Sequence, residues 1–329
     1  MGAADTAFGA HFMLETVIPE VAVVIASHRQ DYIRKCVESF RETISGQSPV
    51  EVIVVADYPV EAFAAAYPSV QWAYCPDKSI SMKRNIGVAR SKGRLVGFID
   101  DDCLSFDNWA GCAIGFMRNN PGHAGVAGQT MVERCEGISY PYSEFKRLEI
   151  PSFRTNNIFY RRDIFLKAGG FDERFSLQRE DIDVAFSIME MGYAIGYSPD
   201  IKVFHRCRQG ERWDLIKNCV NRRFDPLLYK KHNKLYRKWI KTPFTPSIAL
   251  VSITFFLFAI GCGFGGVFFG IALPLPAASS LAMGIKRNYH KRIDVVQVFY
   301  DCMAYMAAPF ALIGALVYGS VKFKKLLIV

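Results

Sequence analysis

The residues best suited to chemistry are three consecutive aspartates, Asp100, Asp101 and Asp102, which follow the apolar run 95–99. Adjacent carboxylates repel one another unless a cation or a nearby base offsets their charge. Their hard oxygens suit Mg2+ or Mn2+, and these ions in turn bind the phosphates of a nucleotide. The alternative is an acidic turn, because Asp is a common turn residue. Three carboxylates behind an apolar strand favour a cation site.

A second acidic pair, Glu180 and Asp181, opens a predicted amphipathic helix over residues 179–193. Acidic residues at a helix N-terminus are stabilised by the helix dipole, so capping alone explains the pair. A carboxylate can also act as the general base that removes a proton from an attacking hydroxyl. The residues by themselves leave both interpretations open.

The elements that position these carboxylates are predicted from hydrophobic patterns. Helical spacing follows Asp31 and recurs over residues 79–90 and 106–119. Apolar runs of the kind found in strands buried on both faces occur at 21–26, 52–55 and 95–99. Residues 70–74 and 124–130 are also predicted to be strands.

Alternating strands and helices imply right-handed crossovers and a parallel sheet, and ligands bind beyond the carboxyl ends of such strands. His28, Asp57 and the three aspartates all follow strand ends. We therefore expect these side chains at one edge of the sheet.

The C-terminal part of the chain has the composition of a membrane anchor. No charged residue occurs between Lys241 and Lys286, and one membrane helix needs only about 20 apolar residues. We expect two spans within 246–284. A third apolar segment, 295–321, carries Asp301 as its only charged residue. Soluble buried helices rarely run so long without charge.

The net charge of +9 is concentrated just before this anchor. Residues 206–241 hold twelve Lys or Arg against three Asp or Glu. A basic segment beside a membrane span is expected on the cytoplasmic side, where it meets anionic membrane lipids. Nucleic-acid binding is the competing explanation. The adjoining apolar segment favours lipid, so we predict no nucleic-acid partner.

The basic residues also constrain the topology. Clusters at 206–241 and 286–292 both favour the cytoplasm, and two spans between them satisfy that. Lys322, Lys324 and Lys325 favour the same side, which a single crossing by 295–321 would prevent. A re-entrant or interfacial segment would resolve the conflict, and periodicity leaves the choice open.

Nine single cysteines without a C-x-x-C pair predict reduced thiols in a reducing compartment. The N-terminus has no basic segment followed by an apolar core, so we expect no secretory signal. Gly2 and Thr6 fit a myristoylation pattern that many unmodified proteins share.

Six segments follow one another in a specific order over roughly residues 21–208. They are VAVVIASHRQ, EVIVVAD, SMKRNIGVARSKGRLVGFIDDD, TNNIFYRRDIFLKAGGFDERF, QREDIDVAFSIMEMGY and VFHRCRQG. Each segment is weak evidence alone, but together and in this order they resemble the family-2 glycosyltransferases. The resemblance implies an α/β fold of the GT-A type, which is Rossmann-like with a mostly parallel sheet and flanking helices, ahead of the C-terminal membrane-associated helices.

The resemblance implies an inverting transfer of a sugar from a nucleotide-diphosphate donor to an acceptor hydroxyl. Asp102 and His205 are the implied ligands of Mn2+ or Mg2+. Asp181 is the implied catalytic base. Glu180 is implied to bind the acceptor or to act as the base in place of Asp181. The implied nucleotide-sugar contacts are Ser27, Arg29, Asp57, Lys83, Arg84, Asp100 and Asp101. The implied acceptor contacts are Asn156, Asn157, Asp183 and Trp213.

Two departures from the family fall at the nucleotide pocket. The opening turn, Ala26-Ser27-His28-Arg29, lacks the usual proline and tyrosine–asparagine pair, and the second strand ends in Ala56-Asp57 instead of two aspartates. A UDP-sugar is the default donor, while the base and the sugar stay open.

A Q-x-x-R-W sequence at 209–213 resembles the acceptor motif of processive polysaccharide synthases. Its short spacing from Asp181, the presence of His205 and the small membrane region favour single transfer. The alternative for Trp213 and Trp239 is anchoring at lipid headgroups. A catalytically inactive nucleotide-sugar-binding subunit is a further alternative. A nucleotidyltransferase lacks support, because no Gly-rich phosphate loop is present.

We therefore predict a GT-A catalytic domain over 1–212, a basic interfacial segment over 213–241 and a membrane region over 242–329. The acceptor is expected to be a lipid-linked glycan or a polyprenyl phosphate. The catalytic domain is expected on the cytoplasmic face, at the inner membrane in a bacterium.

Overall fold

The continuous apolar runs form the parallel part of an eight-stranded sheet. The computed structural model describes residues 19–44, 50–133, 145–207, 211–288 and 295–328. The myristoylation pattern and Gln209 of the Q-x-x-R-W sequence lie outside these residues. The strands are β1 Val21–Ser27, β2 Val50–Ala56, β3 Val70–Tyr74, β4 Leu95–Phe98, β5 Cys103–Ser105, β6 His123–Val132, β7 Ile158–Arg161 and β8 Ala194–His205.

The sheet is mixed and mostly parallel, in the order β3-β2-β1-β4-β7-β6-β8-β5. Strands β3, β2, β1 and β4 run parallel to one another, as do β6 and β8. Strand β7 is antiparallel to both of its neighbours, and β5 is antiparallel to β8. The carboxyl ends of β1, β2 and β4 therefore meet at one edge, which confirms the predicted placement of the polar residues that follow them.

Helices pack on both faces of this sheet and deliver further polar side chains to the same edge. In α3, the Ser79 hydroxyl caps the N-terminus by accepting from the Met82 amide. A Cβ at Gly87 would lie 2.3 Å from Val24 Cγ1, so only a glycine lets α3 approach β1 this closely. The helices are α1 Gln30–Ile44, α2 Glu61–Ala66, α3 Ile80–Arg90, α4 Trp109–Asn119, α5 Arg162–Lys167 and α6 Glu180–Glu190.

The C-terminal part is helical. Three segments are long and apolar enough to cross a membrane, namely Pro246–Phe264, Gly266–Asn288 and Val295–Phe323. The first two agree with the spans predicted within 246–284. The helices are α7 Asp214–Asn221, α8 Asp225–Lys231, α9 Pro246–Phe264, α10 Gly266–Ala272, α11 Leu275–Asn288 and α12 Val295–Phe323.

Asp301, the only charged residue in the third apolar segment, is fully paired inside the α11–α12 hairpin. Its carboxylate accepts hydrogen bonds from Arg287 Nη1 and from Asn288 Nδ2, both at 2.7 Å. Burying a charge is tolerated only when partners replace its lost water. The pairing therefore fixes the register of the two helices.

Helix α12 packs along the first part of the basic segment, residues 213–231. Near its start, the Tyr300 ring packs edge-on against Trp213 with centroids 5.6 Å apart. Near its end, a Cβ at Gly319 would lie only 2.1 Å from the carbonyl oxygen of Arg223. The helix thus lies against the segment that precedes the first membrane helix.

The basic segment is in turn clamped to α6. The Arg179 guanidinium donates two hydrogen bonds to the carboxylate of Asp225, at 2.8 and 3.0 Å, inside the protein. His232 bridges two carboxylates of α6, Asp183 at 3.1 Å and Glu190 at 2.8 Å. The helix that carries Asp181 is therefore held directly by the segment that leads to the membrane.

The expectation of reduced cysteines throughout is wrong at one position. Cys207 is disulfide-bonded, whereas the seven other cysteines in the described part of the chain are free. Single cysteines far apart in sequence give no pairing signal, because pairing depends on tertiary distance.

Candidate active site

The three consecutive aspartates have three different environments. Asp101 is buried, with 2% of its side chain exposed, and its Oδ2 accepts bonds from the Ser27 hydroxyl and from the amides of His28 and Arg29 at 3.1 to 3.2 Å. This carboxylate fastens the turn between β1 and α1. Burial raises the pKa of Asp101, while Arg29 opposes the rise.

Asp102 faces both Arg29 and His205. Its Oδ2 accepts from Arg29 Nη1 at 2.6 Å, and its Oδ1 lies 3.5 Å from His205 Nε2. His205 Nδ1 lies 3.1 Å from the carbonyl oxygen of Arg206. Because a carbonyl only accepts, we assign the ring proton to Nδ1, which leaves a lone pair on Nε2.

The donor set at Asp102 and His205 fits a divalent cation. Two acceptor atoms that face each other repel unless a cation lies near both. A ligand histidine commonly donates its other ring nitrogen to a carbonyl, as His205 does here. Cys103 completes a cluster whose potential ligand atoms lie within 4.8 Å of one another. Burial raises the pKa of the Cys103 thiol well above its usual value, and Cys103 also belongs to the hydrophobic core.

Arg84 joins the aspartates after β4 to the acidic start of α6. One guanidinium nitrogen donates to Asp100 Oδ1 at 2.9 Å and another to Glu180 Oε1 at 3.0 Å. Only 3% of the Arg84 side chain is exposed. The geometry therefore gives Arg84 a bridging position between the end of β4 and the start of α6, which sequence patterns alone do not reveal.

The remaining nucleotide-side residues are grouped at the ends of β1 and β2. Lys83 Nζ donates to Asp57 Oδ2 at 2.9 Å and to the carbonyl of Ser27 at 3.1 Å. The Ser27 hydroxyl also lies 2.7 Å from the Tyr58 hydroxyl. These contacts form one polar cluster, in which Tyr58 is a residue that the sequence did not single out.

Glu180 is buried and Asp181 is half-buried at the N-terminus of α6. Burial raises the pKa of Glu180 to about 7, with a further contribution from the charge of Asp181 and opposition from Arg84. Loss of solvation likewise raises the pKa of Asp181, against the Ile182 amide and Arg84. In the described part of the chain, Glu180 Oε2 is buried without a hydrogen-bond partner. Carboxyl groups with shifted pKa values are common at functional sites.

The backbone before this pair is held in a rare conformation. Arg179 has φ of 81°, in the left-handed region that non-glycine residues seldom adopt. Its side chain is fixed by the paired bonds to Asp225. The surrounding contacts therefore determine the direction in which Asp181 points.

Asp181 lines a cavity of about 600 Å³. Aromatic rings and cationic groups share its wall, and the buried Ser152 Oγ and Gln178 Oε1 have no hydrogen-bond partner within the described residues. The wall includes Phe153, Arg154, Gln178, Tyr197, Arg222 and Trp239. The sequence reasoning assigned Trp239 to the membrane surface and missed the other five. The basic run gave the only signal for Arg222.

The predicted acceptor residues lie elsewhere. Asn157 bonds to Trp109 Nε1 and to two main-chain carbonyls, and Asn156 bonds to the hydroxyl of Thr130. Asp183 is paired with Lys231 and His232, and Trp213 packs on Tyr300. None of these four lines the cavity beside Asp181.

The sequence pattern of Glycosyl transferase family 2 matches residues 21–183. This segment contains the Asp102 motif, the bridging Arg84 and the acidic pair. The chain carries a family-2 glycosyltransferase domain. It is thus an enzyme of the glycosyltransferase type.

Known proteins similar to this glycosyltransferase include two from Haloferax volcanii. A glucosyl-dolichyl phosphate glucuronosyltransferase is 24% identical over 309 residues, which cover 78% of this chain and 97% of the relative. Glycosyltransferase AglE is 21% identical over 212 residues, which cover 59% of this chain and 69% of the relative. Among solved structures, this chain is similar to the mannosyltransferase PcManGT of Pyrobaculum calidifontis in complex with GDP-mannose and Mn2+, with a TM-score of 0.50 at 17% identity. The similarity covers 94% of this chain and 88% of the PcManGT chain. The last similarity supports the GT-A fold.

Proposed function

We propose that this glycosyltransferase moves a sugar from a nucleotide-diphosphate donor to a lipid-linked glycan or polyprenyl phosphate, with inversion. The observation that carries the proposal is one continuous set of contacts. Asp102 faces His205, the neighbouring Asp100 bonds Arg84, and Arg84 bonds Glu180 beside Asp181. A donor-side cation site and a candidate base therefore belong to one active site.

Asp102 and His205 would hold Mn2+ or Mg2+. Such an ion supplies electrostatic stabilisation to the charge on a leaving nucleoside diphosphate. The Pyrobaculum structure, which was solved with GDP-mannose and Mn2+, supports the class of donor and cofactor. A UDP-sugar stays our first choice of donor, and GDP-sugars belong in the same screen.

Asp181 is the proposed base. It lines the cavity where an acceptor hydroxyl can enter, whereas the Oε1 atom of Glu180 is bonded to Arg84. Arg84 keeps part of the negative charge of this region neutralised, so Asp181 can ionise at working pH while Glu180 retains a proton. Removal of the hydroxyl proton by Asp181 accompanies attack on the anomeric carbon from the opposite face of the sugar, which gives inversion.

The proposed acceptor is linked to lipid. The Haloferax relative named for glucosyl-dolichyl phosphate supports this class of acceptor, and so do the exposed apolar helices next to the catalytic domain. We propose that the catalytic domain faces the cytoplasm, where nucleotide sugars are made. The basic segment that contacts α6 would then rest on anionic lipid headgroups.

We further propose that α12 lies in the plane of the cytoplasmic membrane face. Its 29 residues span about 44 Å, longer than a hydrocarbon core of roughly 30 Å. Its contacts with the basic segment extend from Tyr300 to Gly319. A helix that follows an interfacial segment over this length stays at the interface.

Nucleotide release from UDP-, GDP- and dTDP-sugars by the detergent-purified protein tests the function. With Mn2+ or Mg2+ and a membrane lipid extract, one donor class is expected to release nucleotide. Chelation and Asp102→Asn are expected to abolish that release. No release from any donor, with the lipid extract present, would contradict the proposal and favour a nucleotide-sugar-binding subunit.

A further inference from the structure

A second cavity, of about 340 Å³, adjoins the one beside Asp181. Arg154, Gln178 and Arg222 line both, so the two spaces share a wall. The second cavity lies between the catalytic domain and the C-terminal helices, because residues of α7, α9 and α12 complete it.

The lining of this second cavity combines cationic and apolar side chains. Arg147, Arg154 and Arg222 supply three guanidinium groups, and no carboxylate of the described residues lines the cavity. Three guanidinium groups without a carboxylate are typical of a phosphate site. The apolar part of the lining includes Leu215, Ile248, Tyr305 and Leu312.

Arg154 is partly withdrawn from solvent. Burial lowers the pKa of its guanidinium, while the charge of Asp181 opposes this effect. Its side chain donates to the main-chain carbonyls of Leu148 at 3.5 Å and Ile150 at 3.1 Å. A bound anion would replace the solvation that this guanidinium has lost.

The first cavity has the features of a sugar site. Carbohydrate rings stack on aromatic faces, which Tyr197 and Trp239 provide. Their hydroxyls need polar partners, and the buried Ser152 Oγ and Gln178 Oε1 lack one within the described residues. An anionic phosphate is disfavoured directly beside Asp181, because like charges repel. A neutral sugar hydroxyl is the suitable nucleophile there.

We infer that the acceptor is a sugar joined to a prenyl chain through phosphate, with its sugar in the first cavity and its phosphate among Arg147, Arg154 and Arg222. This inference rests on the proposed glycosyltransferase function and selects the lipid-linked saccharide over a bare polyprenyl phosphate. The prenyl chain leaves along Leu215, Ile248 and Leu312 toward the membrane helices. The donor sugar joins a sugar hydroxyl as the bond to the nucleoside diphosphate breaks, and Asp181 takes the proton.

Binding of four probes to the full-length protein in detergent micelles tests the phosphate site. The probes are farnesyl phosphate, farnesol, inorganic phosphate and phosphatidylglycerol, and binding is measured by calorimetry. Farnesyl phosphate is expected to bind at least tenfold more tightly than the other three. Arg222→Gln and Arg147→Gln are each expected to weaken it about tenfold. Arg118→Gln, on an exposed part of α4, is the matched control and is expected to bind like the wild type.

Any one of four binding results would overturn the inference. If farnesol bound as tightly as farnesyl phosphate, the phosphate would contribute nothing to binding. If inorganic phosphate bound as tightly, the prenyl chain would contribute nothing, and equal binding of phosphatidylglycerol would indicate a site for bilayer headgroups. Wild-type affinity in both arginine variants, with unchanged melting temperatures, would also overturn it. Nucleotide release is measured in parallel, so a protein that binds farnesyl phosphate but uses no donor contradicts the proposed function alone.

Transfer assays separate the two classes of acceptor. Farnesyl phosphate and farnesyl phosphate monosaccharides are offered with the donor identified in the nucleotide-release screen. Transfer to a monosaccharide-bearing probe, and not to farnesyl phosphate itself, is expected. Transfer to farnesyl phosphate alone would overturn the assignment of the first cavity to a sugar.

Discussion

Neighbouring carboxylates at the start of α6 acquire different properties from their contacts. Glu180 bonds Arg84 and has its other oxygen buried without a partner, whereas Asp181 accepts from the Ile182 amide and lines a cavity. A buried carboxyl with an unpaired oxygen is most stable when protonated. Access to the cavity therefore favours Asp181 as the base.

Replacing Asp181 by Asn is expected to slow transfer by about 10²- to 10⁴-fold, the usual contribution of a general base. Asn keeps the size of the side chain but cannot take a proton, so the KM for the donor is expected to stay unchanged. Steady-state kinetics with saturating acceptor measure both quantities. Asp163→Asn, at an exposed site on α5, is the control. A turnover number equal to that of the wild type would exclude Asp181 as the base.

Replacing Glu180 by Gln is expected to change how stability depends on pH. The pKa of Glu180 rises from 4.5 to about 7 on folding, so the folded state holds this proton more strongly than the unfolded state. The stabilisation is complete below pH 4.5 and is lost as pH rises toward 7, at up to about 1.4 kcal/mol per pH unit.

Thermal melts at pH 5 to 8.5 measure this effect. The wild type is expected to lose stability over this range more steeply than Glu180→Gln, because the amide does not titrate. Melting curves that shift in parallel with pH would show that Glu180 has an ordinary pKa in the folded protein.

At the scale of elements, the sequence predicted the strands that are encoded by a local hydrophobic pattern. Strands β1 to β4 are mostly apolar and were predicted in order. Strand β7 has only four residues, and β8 mixes exposed, half-buried and buried positions without a regular alternation, so neither gave a clear signal. Their antiparallel and parallel pairing depends on contacts between distant segments, which periodicity does not encode.

The candidate site was predictable only as far as it depends on local sequence patterns. The motifs identified which residues gather at the sheet edge, since strand ends fix backbone position. The direction of each side chain depends on partners far away in sequence. Asp101 fastens a turn 72 to 74 residues earlier, and Arg84 bonds Glu180 96 residues later. The second cavity, here called the arginine cavity because Arg147, Arg154 and Arg222 line it, includes residues of α7, α9 and α12. No single sequence motif could therefore reveal it.

The contact between α12 and the basic segment depends on a glycine. A Cβ at Gly319 would meet the carbonyl of Arg223 at 2.1 Å, whereas nothing lies within 4 Å of a Cβ at Gly314 in the same helix. Gly319→Ala is therefore expected to destabilise the packed state by about 1–3 kcal/mol, the usual cost of overpacking. Gly314→Ala is expected to be neutral or slightly stabilising, because Ala favours helix.

Thermal unfolding in detergent, together with proteolysis of the C-terminal residues, measures the difference between the two glycine variants. Faster cleavage after Lys322 is expected only in Gly319→Ala. If the two variants melt and are cleaved alike, α12 does not pack on the basic segment through Gly319.

At the scale of the whole molecule, one chain of contacts joins the candidate active site to the helices that could cross a membrane. Arg179 and Asp183 of the acidic region bond Asp225 and His232 of the basic segment, and α12 packs on that segment. The arginine cavity lies along this junction, because residues of α7, α9 and α12 line it. A fixed set of contacts therefore holds the candidate site next to these helices.

This arrangement makes a definite prediction of topology. If α12 lies at the interface, the C-terminal residues and the basic segment share the cytoplasmic side, and Lys322, Lys324 and Lys325 satisfy the positive-inside rule. Single cysteines introduced at Lys234, Phe264 and Leu326, all exposed positions, report the side of each segment. Cys262→Ser removes the exposed native thiol.

Labelling with a membrane-impermeant maleimide in intact bacterial cells is expected at Phe264→Cys alone, because α9 carries that position across the bilayer. Lys234→Cys and Leu326→Cys are expected to react only after permeabilisation. Reaction of Leu326→Cys in intact cells, with Lys234→Cys protected, would mean that α12 crosses the membrane. The arginine cavity, which α12 completes through Tyr305 and Leu312, would then lie within the bilayer, where three guanidinium groups cost far more to bury. The electrostatics of the cavity therefore support the interfacial placement that we propose for α12.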